Sequence, residues 1–193
     1  MLDWNKYKNL CMKKKVYVFL VDGFEEVEAL TSVDILRRAN LDVITVSITN
    51  SYQVNGARNI EVKADSLFES NNYSDADLWL LPGGPGTDSL NAFQPLKEIV
   101  KKHCLENKLT AAICAAPKIL GELGLLSGKD ATCYPGVEKY LIGANFIPAP
   151  VVEDGNIITA NGVGAALEFS LVLVKRLVNE QEAKLLAAKV MAI

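Results

Sequence analysis

Short continuous apolar runs alternate with amphipathic stretches along this chain. KVYVFLV (15–21), ADLWLLP (76–82) and LTAAI (109–113) have no polar alternation, as strands buried on both faces require. DVITVSI (42–48) is a second strand of this kind. Helical segments are predicted at about 25–39, 96–106, from Pro117 onward, 165–178 and 180–191. Three glutamates in the first turn of the earliest helix suit the positive end of its dipole. Residues 50–65 alternate around Asn55-Gly56, and 151–160 around Asp154-Gly155, so each reads as a hairpin. A short strand is expected near Ala131–Tyr134.

Strand–helix alternation of this kind predicts an α/β fold. The expected architecture is a flavodoxin-like three-layer αβα sandwich, with a mostly parallel sheet and hairpin insertions or edge strands. Right-handed crossovers leave the order 2-1-3-4 for the four central strands. A single domain is expected over 14–193, preceded by a tail over 1–13 that is loosely tied to the core. Met12 opens MKKKVYVFLVDG, which reads as a natural start.

Composition narrows the function classes. Half of the 193 residues are hydrophobic and 22% are charged, a globular balance. The net charge of −3 gives no electrostatic footprint for nucleic acid, and Lys13–Lys15 reads as a solvated flank. No signal peptide or apolar window of about 18 residues is visible, so a cytoplasmic protein without membrane contact is expected. Cys11, Cys104, Cys114 and Cys133 form neither a CxxC pair nor a metal spacing, so free thiols are expected and no metal.

Open α/β sheets bind ligands at the carboxyl ends of their strands. Three such ends carry unusual residues: DGFEEVEAL after the first strand, PGGPGT after the third, and Cys114 after the fourth. In the expected order those strands are neighbours. Cys114 sits in a tight strand-to-helix turn, the setting of a nucleophile elbow, before a helix N-terminus that favours an anion. Position alone leaves open whether it is a nucleophile or a small buried hydrophobe. Gly83-Gly84-Pro85-Gly86 lacks a dinucleotide fingerprint and has no P-loop Lys; it is either an oxyanion turn or a plain connection. Glu25 and Glu26 read as helix-start residues. Glu28, flanked by Val27 and Ala29-Leu30, is a candidate for a carboxyl with a raised pKa that shares a proton with the thiol. The one histidine, His103, precedes the strand leading to Cys114, so it belongs at the opposite edge and a Cys–His protease pair is disfavoured.

VFLVDGFEEVEAL, LLPGGPGT and AAICAAPKIL together resemble the ThiJ/PfpI superfamily, in the branch of the Parkinsonism-associated deglycase and its bacterial relatives. The similarity runs from about Lys14 to Ile193. It implies a flavodoxin-like fold and a homodimer. It implies that Cys114 is the reactive cysteine, that Glu28 hydrogen-bonds it, and that the N–H groups of Gly83, Gly84 and Ala115 form the anion pocket. Arg38 and Arg58 match arginines near the dimer interface, which places Arg58 at the border of the site. Tyr134 stands where the branch often has a histidine, and Ala115 where the peptidase branch has one. Asn161-Gly162-Val163-Gly164 replaces a turn that contains proline. The resemblance implies a cofactor-independent glyoxalase or deglycase chemistry on small carbonyls, or a redox-sensing, chaperone-like role in which Cys114 is oxidised.

Overall fold

The computed structural model describes residues 13–192. The tail expected over 1–13 lies outside the described residues except for Lys13. Lys14 and Lys15, the rest of the basic run, hold Asp77 and Asp75 at 2.8 and 2.6 Å.

The first strand, β1 (Lys15–Leu20), shows why the apolar run is continuous. Val16, Val18 and Leu20 face one core; Tyr17, Phe19 and Val21 face another on the opposite side. The strands that follow are β2 (Asp42–Ser47), β3 (Gln53–Asn55), β4 (Glu61–Lys63), β5 (Ser66–Leu67), β6 (Leu78–Leu81) and β7 (Leu109–Ile113). The chain ends its strands with β8 (Asp130–Ala131), β9 (Asn145–Phe146), β10 (Val151–Asp154) and β11 (Ile157–Ala160). The helices are α1 (Glu26–Arg38), α2 (Thr87–Ala92), α3 (Gln94–Leu105), α4 (Pro117–Glu122), α5 (Ala166–Leu177) and α6 (Glu180–Lys189).

The main sheet runs β10-β11-β7-β6-β1-β2-β5. Its centre, β2-β1-β6-β7, is the 2-1-3-4 order expected, and every pair is parallel except β10 with β11. The first core takes Leu36 from α1, Phe169 and Leu173 from α5, and Leu186 from α6. The second takes Leu96 and Val100 from α3 and Ile119 and Leu120 from α4. Two apolar layers around one sheet make the αβα sandwich.

Four expectations change. The strand near Ala131–Tyr134 is only two residues, and it pairs with β9 rather than with the main sheet. Residues 87–92 form α2, ahead of a longer α3. The second hairpin is not peripheral: β11 pairs in parallel with β7, and only β10 is an edge. In the first hairpin Asn55-Gly56 is not the turn. Asn55 pairs with Glu61, so five residues form the loop, with Asn59 at φ +61°. Docking explains this. Gly23 N–H donates to Asn55 O at 2.7 Å and Ala57 N–H to Phe24 O at 2.8 Å, so the loop follows the turn between β1 and α1 rather than its own tightest turn.

Candidate active site

β1, β6 and β7 deliver their carboxyl ends side by side, and the three marked segments converge there. The segments pack too closely to admit side chains at the glycines. A Cβ on Gly84 would lie 2.4 Å from Gly23 O, and one on Gly86 2.4 Å from Asp22 O. Gly84 also has φ +94°, which favours glycine.

Cys114 follows β7 directly and adopts φ +64°. An unbranched L-residue held in this region costs about 1–3 kcal/mol, so the surroundings must enforce it. They do so from both sides. Cys114 N–H donates to Ala160 O at 2.8 Å, and Tyr134 N–H donates to Cys114 O at 2.8 Å. Ala116 N–H closes the turn on Ile113 O at 3.1 Å, immediately before α4. The thiol is half-buried.

Glu28 lies in the first turn of α1 and is fully buried. Its Oε2 accepts the Gly83 N–H at 2.9 Å, and its Oε1 has no partner. Gly83 separates the two reactive groups: a Cβ there would fall 2.6 Å from Cys114 Cβ and 2.8 Å from Glu28 Oε2. Burial pushes the Glu28 carboxyl up to about 7, against the pull of the thiol and the Gly83 N–H. Burial, then the charge of Glu28, then the hydrogen bond to it push the Cys114 thiol up to about 12, while the N–H groups of Gly84 and Ala115 pull it down. Each group's proton affinity depends on the charge of the other, so they titrate as one system.

The structure distributes the glycine turn differently from the expected anion pocket. Gly84 and Ala115 direct their N–H groups at the thiol, whereas the Gly83 N–H is committed to Glu28. Tyr134 is 52% exposed and its ring edges Gly162, where a Cβ would lie 3.4 Å from Cδ2 and 4.0 Å from Glu28 Oε1. Gly162, at φ +152°, therefore forms the wall between Tyr134 and the carboxyl; only its place in the altered Asn161–Gly164 turn hinted at this. Arg58 is exposed and 3.7 Å from the Glu25 carboxylate. Arg38 is remote from the thiol, at the far end of α1, where it pairs with Asp34 at 2.7 Å.

Glu26 is more than a helix-start residue. It is buried, and its Oε1 accepts the Arg58 N–H at 2.6 Å, clamping the β3–β4 loop. His103 lies at the amino-terminal edge as expected, donating Nε2–H to Leu109 O at 3.0 Å. Cys104 and Cys133 are buried and free. Among the described residues there is no cluster of three His, Cys, Asp or Glu side chains suited to a metal.

Fold and site together define a flavodoxin-like α/β protein with a cysteine at the strand-to-helix elbow and a buried glutamate beside it. The chain belongs to the DJ-1/PfpI family, whose profile matches residues 14–176. It is 40% identical over 173 residues to Protein DJ-1 homolog B of Arabidopsis thaliana, covering 88% of this chain but only 40% of that relative. It is 32% identical over 152 residues to Deglycase PYRAB04690 of Pyrococcus abyssi, covering 78% of this chain and 91% of that one. The crystal structure of a cysteine-to-alanine mutant of DJ-1 superfamily protein STM1931 from Salmonella typhimurium superposes with a TM-score of 0.88 at 36% identity, over 92% of this chain and 98% of that one. No helix among the described residues is long and apolar enough to cross a membrane.

Proposed function

We propose that the protein converts small reactive dicarbonyls, such as methylglyoxal, to hydroxy acids through Cys114 and Glu28. The observation that carries this is the pairing of a conformationally strained thiol with a buried carboxyl whose second oxygen is unpartnered. At rest the proton of the pair sits on the Cys114 thiol; Glu28, as carboxylate, takes it as general base when the sulfur attacks. The sulfur adds to the aldehyde carbon, the carbonyl electrons move to oxygen, and the Gly84 and Ala115 N–H groups hold the resulting oxyanion. Glu28 passes the thiol proton on to that oxygen and is again a carboxylate; it then removes the hydrogen from the carbon as a proton and returns it to the neighbouring one, while the hydroxyl proton moves to the neighbouring oxygen. The first carbon is thereby oxidised to a thioester and the second reduced to an alcohol, with no external oxidant. Water then cleaves the C–S bond, releasing the hydroxy acid and the thiol. A relative named a deglycase supports carbonyl chemistry as the class. The test is turnover of methylglyoxal without glutathione. Cys114→Ser abolishes it; activity that survives this substitution would overturn the assignment.

A second reading has its own support. A protonated Glu28 with a free oxygen is also suited to donating a hydrogen bond to an oxidised sulfur. Under mild peroxide, intact-mass and peptide analysis would then find oxygen on Cys114 before Cys104 or Cys133. Earlier oxidation of either buried thiol removes the basis of this reading.

A further inference from the structure

The surroundings of the Cys114 turn are closed on one side and open on another. At Gly83 a methyl group would strike Cys114 Cβ at 2.6 Å and Glu28 Oε2 at 2.8 Å, so nothing passes there. At Gly162 the nearest atom to a methyl group would be a Tyr134 ring carbon at 3.4 Å, an ordinary van der Waals contact. The two sides are joined through the backbone. Cys114 N–H donates to Ala160 O, two residues before Gly162, and Tyr134 N–H donates to Cys114 O. Glu28 is fully buried on the inner side of Gly162, whereas Cys114 is only half-buried and Tyr134 is exposed. A group bonded to the sulfur therefore extends outward past Tyr134 and not inward past Gly83.

Single aromatic residues on a surface are ordinary, and exposure alone would give Tyr134 no role. How it is held sets it apart. Its N–H is fixed on Cys114 O at 2.8 Å, its carbonyl accepts the Val137 N–H at 3.0 Å, and its ring edge rests on Gly162. These contacts station the ring beside the thiol while leaving about half of the residue open to solvent. Val163, the next residue after Gly162, is exposed as well. Neither side chain brings a charge, so this rim rewards the burial of apolar surface rather than the pairing of an ion. A methyl substituent gains little from it. A flat aryl substituent gains ring-on-ring packing with Tyr134.

We propose that Tyr134 is a specificity-determining residue, whose ring selects dicarbonyls with an aryl substituent, phenylglyoxal being the simplest, over methylglyoxal. The chemistry rests on the carbonyl reading above; the preference rests on the geometry around the thiol. Two measurements on the full chain separate them. In glutathione-free turnover, Tyr134→Ala lowers the ratio of kcat/KM for phenylglyoxal to that for methylglyoxal about tenfold, mainly through KM, and Tyr134→Phe keeps the ratio. Comparing ratios between proteins cancels the intrinsic reactivity of the two aldehydes, and alanine keeps the N–H that anchors the turn. The second measurement needs no turnover. Phenacyl bromide and bromoacetone are alkylating ketones with the same two substituents, and the Cys114 sulfur displaces bromide from either. Their relative rates at Cys114, read by peptide mass, change about tenfold in Tyr134→Ala and hold in Tyr134→Phe. Ratios unaltered by Tyr134→Ala would overturn the ring's role, even with both dicarbonyls turned over. An equal fall in Tyr134→Phe would assign the preference to the hydroxyl and overturn the ring as its source. Ring-dependent alkylation in a protein that turns over neither dicarbonyl would overturn the carbonyl reading while bearing out the role of Tyr134.

Discussion

Glu26 and Glu28 are two residues apart on one helix, both buried, and they are chemically opposite. Burial pushes both carboxyls up. At Glu26 that push is outweighed by the N–H groups of Arg58, Ile60 and Glu26 itself and by the Arg58 charge, so its pKa ends below the ordinary value. At Glu28 the single Gly83 N–H and the thiol do not compensate, and the pKa stays at about 7. Two things differ: how deeply each carboxyl is buried and the number of donors the fold brings to it. A looped hairpin surrounds Glu26 with backbone amides, and a glycine too crowded for any side chain gives Glu28 one. Val27 between them is 46% exposed, so this turn buries its acids and exposes its aliphatic residue. Such inversion of the usual pattern is expected where function overrides packing.

Exchanging each carboxylate for its amide breaks the comparison most sharply. Glu28→Gln lowers methylglyoxal turnover by about 10²–10⁴-fold, the range for losing a general acid–base group, while the melting temperature at pH 8 holds or rises. Glu26→Gln does the reverse. It loses a charge-assisted hydrogen bond to a backbone amide, costing about 1.5–3 kcal/mol in denaturant unfolding, while turnover per folded molecule stays within about threefold. Gly83→Ala acts next. Its methyl meets Cys114 Cβ and Glu28 Oε2, so it displaces the pair and lowers both turnover and melting temperature.

The pH dependence of stability sharpens the contrast. Glu28 ionises at 4.5 unfolded and at about 7 folded, so the folded state binds more protons between those values. Its contribution is full below pH 4.5 and is lost as pH rises towards 7, a change of about 3 kcal/mol. The difference between wild type and Glu28→Gln in urea midpoints over pH 4.5–7.5 isolates it. Glu26, with a depressed pKa, contributes above its unfolded value and loses that contribution as pH falls below 4.5. The smallest effect is at the far end of α1. Arg38→Ala removes an exposed ion pair with Asp34, and neither the melting temperature nor turnover changes measurably.

What the sequence made legible follows periodicity and spacing. Continuous apolar strands and right-handed crossovers were enough for the 2-1-3-4 centre, and that order alone brought Glu28, the glycine turn and Cys114 to one edge. Features set by docking were not legible. The Asn55-Gly56 signal describes an isolated hairpin, and contacts with Gly23 and Phe24 replace its tight turn. The division of labour between Gly83 and Gly84 depends on which N–H points where, and both carry the same letter. The Trp79–His103 stack joins residues 24 positions apart with no local pattern.

The central claim, that Glu28 as carboxylate takes the proton of the Cys114 thiol, is tested most directly by the pH profile of Cys114 alkylation, read at that residue by peptide mass. Wild type should show a rise in rate with an inflection near pH 7, and Glu28→Gln should lose that inflection. Identical profiles in the two proteins, or a wild-type thiol that stays unreactive until strongly alkaline pH, would contradict the account.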